Sequence, residues 1–285
     1  MIEVNGLSFT YPRCRERTLQ QLDFRIAEGE IFGILGPSGA GKSTLQKILT
    51  GILKNYEGSA KMMGIEIRTS DSSLNEQIGV AFEFPNFYTK FTALENLQLF
   101  GSLYKKQAVN PMDLLREVGL QDAAGMRVSQ LSKGMKMRLN FCRALLHEPA
   151  ILFLDEPTSG LDPGHAEGMK ALIRNQKAMG KTVIITTHHM KVAEELCDRI
   201  AFLVDGSIKL IDSPRELMVR RGTKRLAVEY RRNDGVLART EFSLEGIGDN
   251  PDFLHTIRQF PLETIHSQEA SLEQIFIEVT GRKLQ

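Results

Sequence analysis

The chain has 285 residues, of which 42% are hydrophobic and 25% are charged, and its formal net charge is +1. These values are typical of a globular chain of about two domains, and so balanced a charge does not predict binding to nucleic acid. Three widely separated cysteines without a CxxC pair argue against a disulfide framework, and we expect neither a signal peptide nor a membrane span.

The first hundred residues begin with short apolar runs that predict strands. The run IFGIL at 31–35 predicts a buried strand, and the glycines that follow it lead into a predicted helix, STLQKILTG. Residues 92–145 are predicted to be mostly helical, because Thr92 and Glu95 form a capping box at the start of this segment.

The next section alternates again between strands and helices. We predict a strand over AILFL at 150–154, a helix over 165–179, a strand over TVIITT, a helix over 190–198 and a hairpin turning at Asp205-Gly206. This order predicts an α/β fold with a mainly parallel sheet over residues 1–212. The composition changes after Pro214, and residues 213–285 are predicted to form a small α+β accessory domain.

One segment matches a complete phosphate-binding motif. Gly36-Pro-Ser-Gly-Ala-Gly41-Lys42-Ser43 fits GxxxxGK[ST] and lies between a predicted strand and a predicted helix, as the motif requires. The glycines let backbone N–H groups point at phosphates, and the helix N-terminus adds positive potential. Lys42 is expected to reach the β/γ-phosphates, and the hydroxyl of Ser43 is expected to coordinate Mg²⁺.

Two carboxylates follow the apolar run at 151–154. A buried strand would deliver Asp155 and Glu156 to the carboxyl edge of the sheet, where such sheets bind ligands. Asp155 is expected to hold Mg²⁺ through water. Strand alternation would turn Glu156 to the other side, where it could position or polarise the attacking water.

Three further motifs select a family among phosphate-loop proteins. LSKGM lies at 131–135, SGLD at 159–162, and Thr187-His188 ends a predicted strand. With the phosphate loop, this ordered set resembles the ATP-binding subunit of ATP-binding cassette (ABC) transporters. The resemblance implies a phosphate-loop core, an N-terminal antiparallel β subdomain and an inserted helical subdomain at about 84–146.

The resemblance also implies the roles of individual residues. Tyr11 would stack on adenine, Glu156 would be the catalytic carboxylate, and His188 would contact the γ-phosphate. The signature motif at 131–135, with a helix expected over 135–147 behind it, would bind the ATP held by a second subunit in a head-to-tail dimer. Apart from the catalytic set Lys42, Glu156 and His188, the residues expected to contact ATP are Tyr11, Gly36, Pro37, Ser38, Gly39, Ala40, Gly41, Ser43, Thr44, Ser132, Lys133, Gly134 and Asp162.

Two positions depart from the family pattern. Glu83 stands where the family has a glutamine, and we hypothesise that it keeps a role in holding Mg²⁺ together with Ser43 and Asp155. Lys133 replaces a glycine of the signature motif. It is interpreted either as a cation near the opposing γ-phosphate or as a solvated lysine. His189 follows the switch histidine and is interpreted as structural.

The predicted function is ATP hydrolysis coupled to a separate transmembrane permease, with ATP and Mg²⁺ as cofactors. SKG-type signatures and the C-terminal SLEQIFIEVTGRK resemble ABC-2 type exporters of drugs or antibiotics, so export is favoured. The aromatic segment at 82–91 would either dock the permease or pack against the helical subdomain. The expected partner ATPase is a second copy or a paralogue, at the cytoplasmic face of the membrane. The rival classes are a soluble cassette ATPase acting on ribosomes or DNA and a small-molecule kinase.

Overall fold

The structure is a computed structural model that describes residues 1–105, 109–221, 225–268 and 271–282. The chain forms two compact units, Met1–Asp212 and a second that begins at Ser213. The strands of the first unit are β1 Ile2–Phe9, β2 Leu19–Ile26, β3 Ile31–Leu35, β4 Glu57–Met62, β5 Ile65–Glu66, β6 Ile78–Ala81, β7 Ile151–Asp155, β8 Thr182–Thr187, β9 Arg199–Val204 and β10 Ser207–Asp212. Its helices are α1 Lys42–Leu49, α2 Ala93–Gly101, α3 Pro111–Glu117, α4 Lys133–Leu145, α5 Pro163–Ala178 and α6 Met190–Leu196.

The central sheet of this unit has six strands in the order β10-β9-β3-β8-β7-β6. All neighbours are parallel except β9 and β10, so the prediction of a mainly parallel sheet is confirmed. Strands β3 and β8 are buried along their whole length, which explains their continuous apolar character. The predicted hairpin turns at Asp205 and Gly206, whose φ angles are 49° and 71°.

A second, antiparallel sheet has the order β2-β1-β4-β5. Its alternating apolar side chains, such as Ile2, Val4 and Phe24, belong to the same buried cluster as Phe32 and Phe153 of the central sheet. The two sheets therefore share one hydrophobic core, and the expected N-terminal antiparallel β subdomain is confirmed. Strand β3 and helix α1 lie within this core and carry the phosphate loop between them.

Four helices of this unit, α2 to α5, begin at side-chain caps. Thr92 and Glu95 form the predicted capping box at α2. The helix expected at 135–147 behind the signature motif begins earlier, because the Ser132 hydroxyl accepts from the backbone N–H of Met135 and starts α4 at Lys133. The prediction of 165–179 was also two residues late, since Asp162 caps α5 and Pro163 occupies its first turn. The helix expected over 190–198 ends at Leu196.

The second unit is a small α+β domain. It contains α7 Pro214–Arg221, β11 Arg225–Arg231, β12 Leu237–Ser243, α8 Pro251–Gln259, β13 Leu262–Gln268 and α9 Leu272–Thr280. Its antiparallel sheet has the order β12-β11-β13 and a small core of Val228, Tyr230 and Phe242. Residues 283–285 of the predicted accessory domain lie outside the described residues. Within the described ranges, none of the helices has the length and apolar character needed to cross a membrane.

Candidate active site

The phosphate loop connects β3 to α1 with backbone geometry that only glycine tolerates. A Cβ at Gly36 would lie 2.0 Å from the carbonyl oxygen of Leu203, so the loop passes directly against β9. Gly41 has φ 107° and precedes the first residue of α1. The orphan N–H groups of the α1 N-terminus therefore face the loop interior, which is the arrangement that binds phosphate. Ala40 is buried in the core behind the loop.

Lys42 folds back over the loop that carries it. Its Nζ donates to the carbonyl oxygens of Gly36 at 2.6 Å and Pro37 at 2.9 Å. Burial lowers the pKa of Lys42, while the charges of Glu156, Asp155 and, least of the three, Glu83 act to raise it. The ammonium therefore already lies among the acidic residues of the site, within the loop expected to hold phosphate.

Asp155 ends β7 beside the phosphate loop. Its Oδ1 accepts from the Thr186 hydroxyl at 2.5 Å, and it also has a backbone hydrogen bond with Glu83. Burial raises the pKa of Asp155 above its usual value, and the hydrogen bond from Thr186 opposes this shift. A buried carboxylate held in this way favours a nearby cation.

Glu156 leaves the strand with a left-handed backbone, φ 47°, so its direction is set by a turn and not by the strand alternation expected from the sequence. The residue is only 5% exposed. Its Oε1 accepts from the backbone N–H of His188 at 2.9 Å and lies 2.5 Å from His188 Nδ1. Its Oε2 accepts from the Thr187 hydroxyl at 2.9 Å. The catalytic carboxylate and the switch histidine expected from the sequence are thus in direct contact.

These residues surround one cleft of about 350 Å³. It is lined by Thr18, Ser38, Gly39, Gly41, Lys42, Ser43, Thr44, Glu83, Asp155, Glu156 and His188. All but Thr18 were singled out in the sequence. Thr18 belongs to no sequence motif. It lies at the cleft because its backbone packs against Gly41: a Cβ on Gly41 would be only 3.1 Å from the Thr18 carbonyl oxygen. Of the remaining loop residues, Gly36 and Pro37 present carbonyl oxygens to Lys42.

A wider groove of about 930 Å³ adjoins the cleft, and the two share Thr18 and Gly39. Its other lining residues are Cys14, Arg15, Glu16, Arg17, Gln20, Asp205 and Gly206. Tyr11 lies nearby, because its hydroxyl is 3.2 Å from Thr44 Oγ1. Its ring packs edge-on against Phe9, with the centroids 4.9 Å apart. Tyr11 is thus beside the phosphate loop but does not line the phosphate cleft.

The signature motif lies outside this cleft. Ser132 is exposed and caps α4, and Lys133 and Gly134 form the first turn of that helix. A Cβ at Gly160 would lie 2.8 Å from Lys133 Cε, so the lysine stem covers the loop at 159–162. In that loop a side-chain hydrogen bond with His165 lowers the pKa of Asp162. The signature motif and this loop therefore form one continuous surface of the chain.

The residues expected to hold Mg²⁺ offer only oxygen atoms. Ser43, Asp155 and Glu83 line the same cleft, and hydroxyl and carboxylate oxygens are the ligands that Mg²⁺ prefers. The raised pKa of Asp155 indicates a buried negative charge that a cation would stabilise. The residues present therefore fit the ion.

Comparisons with known proteins agree with this geometry. The family model described as "ABC transporter" matches residues 19–159. A second family model, described as "Fluoroquinolone efflux ABC transporter C-terminal domain", matches residues 224–269. A solved post-hydrolysis dimer of an ATP-binding cassette with bound ADP and phosphate is 30% identical, with a TM-score of 0.67 over 75% of this chain and 98% of that one. Another solved ATP-binding subunit of an ABC transporter is 28% identical, with a TM-score of 0.70 over 78% of this chain and 93% of that one.

Curated relatives cover the whole chain. A fluoroquinolones export ATP-binding protein of Mycobacterium tuberculosis (strain H37Rv) is 50% identical over 100% of this chain and 94% of its own length. The Nod factor export ATP-binding protein I of Neorhizobium galegae is 33% identical over 100% of this chain and 86% of its own length. Together with the phosphate cleft, these similarities show that the chain belongs to the ATP-binding subunits of ABC transporters.

Proposed function

We propose that this chain energises a drug exporter by hydrolysing ATP in a site shared between two copies. As an ABC ATP-binding subunit of the export type, the chain binds and hydrolyses ATP to energise export through a separate permease. The observation that supports this proposal best is the contact between Glu156 and His188 at the edge of a complete phosphate loop.

The cleft supports a division of labour among its residues. Backbone N–H groups of the phosphate loop and the α1 N-terminus hold the β- and γ-phosphates, and Lys42 turns from its two carbonyl partners to these oxygens. Ser43, Asp155 and Glu83 would hold Mg²⁺, and the ion would neutralise charge on the phosphate oxygens. The neighbouring groove at residues 14–18 accommodates the nucleoside. Tyr11, whose hydroxyl lies beside Thr44 of the phosphate loop, stacks on the base.

Glu156 positions the attacking water and accepts its proton. The carboxylate can do so because Thr187 and the His188 backbone fix both of its oxygens. The His188 ring is half-exposed and donates to the γ-phosphate once the nucleotide is bound. The reaction is phosphoryl transfer to water, in which positioning and charge stabilisation supply most of the catalysis.

A second copy completes the site. Ser132, Lys133 and Gly134 surround the N-terminus of α4 and are exposed or half-buried, yet they do not line the phosphate cleft of their own chain. In a head-to-tail dimer they face the γ-phosphate held by the partner, and Asp162 lies at the same interface. Glu156 and His188 are both present, so two copies of this chain would form two intact sites.

The permease is expected to dock in a groove between the central sheet and the helical subdomain. This groove of about 450 Å³ includes Ile52, Phe100, Leu103 and Arg143. The aromatic segment at 82–91 has features of both interpretations made from the sequence, which were packing against the helical subdomain and docking of the permease. Phe87 packs inward under the Arg143 guanidinium at 5.0 Å, whereas Phe84 is largely exposed. Leu103 in the groove is also largely exposed, and exposed apolar side chains of this kind fit a partner surface.

The docking groove can be tested with a matched pair of variants. Leu103 is 70% exposed in the groove, and Met179 is 68% exposed at the end of α5, outside it. Leu103→Glu should abolish recruitment to membranes that contain the cognate permease, because a charge would be buried in the interface, while Met179→Glu should be recruited like the wild type. Recruitment of Leu103→Glu equal to that of Met179→Glu, measured by membrane flotation, would overturn this assignment. A wild-type chain that does not float with permease-containing membranes would overturn the peripheral location.

The exported compound is proposed to be a fluoroquinolone-like drug. The support is the identity to the mycobacterial export protein and the match of residues 224–269 to the efflux C-terminal domain. Cells expressing the chain with its cognate permease should accumulate less fluoroquinolone than cells expressing the Glu156→Gln variant. Equal accumulation in the presence of both proteins would refute this substrate class without refuting ATP hydrolysis.

A further inference from the structure

Two adjacent histidines lie against the catalytic carboxylate. One imidazole nitrogen of His188, one of His189 and one oxygen of Glu156 all lie within 4.8 Å of one another. The two rings are 4.1 Å apart between centroids and tilted by 37°. Only His188 has a role in the proposed hydrolysis, so the position of His189 needs a separate explanation.

The surrounding contacts hold this group together. The Thr187 hydroxyl donates to Glu156 Oε2 and accepts from the backbone N–H of His189 at 3.0 Å. The carboxylate is thereby oriented with Oε1 toward the histidines. Such outer contacts orient the direct ligands of protein metal sites. Glu156 is buried, while both histidines are exposed, so an ion from solvent has access to the group.

The donor atoms differ from those of the Mg²⁺ site. Two imidazole nitrogens and one carboxylate oxygen are a ligand set typical of Zn²⁺, with bonds of about 2.0–2.2 Å and one position left open. Mg²⁺ prefers oxygen ligands and would remain with Ser43, Asp155 and Glu83. We propose that Glu156, His188 and His189 form a Zn²⁺ site that inhibits the ATPase.

Zn²⁺ would inhibit hydrolysis because it would bind two groups that the reaction uses. This inference rests on the proposed roles of Glu156 and His188. Glu156 Oε1 and His188 Nδ1 now share a hydrogen bond of 2.5 Å. To bind Zn²⁺, the two atoms would release the shared proton to solvent and separate, and the ion would then take the lone pairs of both. The carboxylate could then no longer accept a proton from water, and the histidine would be held away from the γ-phosphate. Zn²⁺ would therefore lower turnover without displacing Mg²⁺.

Zn²⁺ binding can be measured without nucleotide and without an activity assay. We compare tag-free wild type, His189→Asn and, as a matched control, His255→Asn on α8, by Zn²⁺ calorimetry and by Co²⁺ absorption. Asparagine suits position 189, because this residue is the N-cap of α6 and its histidine side chain makes no capping hydrogen bond. The wild type and His255→Asn should bind one ion per chain and show the visible band of tetrahedral Co²⁺. His189→Asn should lose at least about tenfold in Zn²⁺ affinity.

The regulatory part is tested with a buffered free Zn²⁺ series in the Mg²⁺-ATPase assay, with each variant normalised to its own zinc-free rate. The half-inhibitory Zn²⁺ concentration should rise at least about tenfold in His189→Asn and stay unchanged in His255→Asn. Equal Zn²⁺ binding by all three proteins, or equal inhibition of them, would overturn the proposal. Failure of the proposed ATPase function can be distinguished from absence of the Zn²⁺ site, because a chain without ATPase activity would still show the Co²⁺ band if the site exists.

Discussion

Replacing Glu156 with glutamine should remove the reaction step while leaving the fold intact. The amide oxygen can still accept from the His188 backbone N–H, which lies 2.9 Å from the present carboxylate. The loss of other contacts should cost about 1 kcal/mol of stability. A general base contributes about 10²–10⁴-fold to a rate, so the activation free energy should rise by about 2.7–5.4 kcal/mol. Binding of ATP should be retained, because the phosphate loop is unchanged.

The assay is phosphate release at saturating Mg²⁺-ATP, together with ATP affinity and thermal unfolding of the same preparation. Glu28→Gln serves as the control, because Glu28 is an exposed carboxylate in the turn between β2 and β3. The control should keep the wild-type rate. A Glu156→Gln variant whose rate falls by only about threefold or less would refute the role of Glu156, because the loss of a general base should lower the rate far more.

The other predictions concern neighbouring positions. Ser132→Ala should lower Tm by about 2–4 °C through loss of the α4 cap, and an unchanged thermal transition would contradict that capping role. Gly160→Ala should destabilise the chain by about 1–3 kcal/mol in chemical unfolding, because Gly160 has φ 71° and its Cβ would meet Lys133. Adding Lys133→Ala should recover part of this loss, and no recovery would show that the lysine does not cover the loop. Glu83→Gln should raise the Mg²⁺ concentration for half-maximal ATPase by about tenfold or more, and an unchanged value would remove Glu83 from the metal site. Asp155→Asn should raise the Tm of the nucleotide-free chain at pH 7, since burial raises the pKa of Asp155 and its ionised form destabilises the fold. That gain should vanish below the carboxyl's usual pKa of 3.8, and a lower Tm at pH 7 would contradict the shift.

The parts of the site that could be predicted are those encoded by local spacing. The phosphate loop needs its glycines, Lys42 and Ser43 at consecutive positions, and a buried strand delivers Asp155 to one edge of the sheet. The parallel sheet was also predictable, because strands buried on both faces read as unbroken apolar runs.

Other features depend on contacts between distant segments, which spacing does not encode. Thr18 reaches the cleft because its carbonyl oxygen lies against both Gly41 and Gly206. The direction of Glu156 comes from a left-handed turn and from the end of β8, and the strand alternation could not predict it. The same contact brings His189 to the carboxylate and makes this histidine a candidate ligand. The early start of α4 depends on which hydroxyl caps it, and Ser132 could be assigned this role only in three dimensions.

The central claim is that two copies of the chain enclose ATP between the phosphate loop of one and the signature motif of the other. Light scattering of the purified Glu156→Gln variant, with and without Mg²⁺-ATP, tests it most directly, because slow hydrolysis preserves the closed state. The account predicts a shift with ATP from the chain mass of 32.0 kDa to about twice that mass. A variant that binds ATP and stays at the mass of one chain would contradict the shared site.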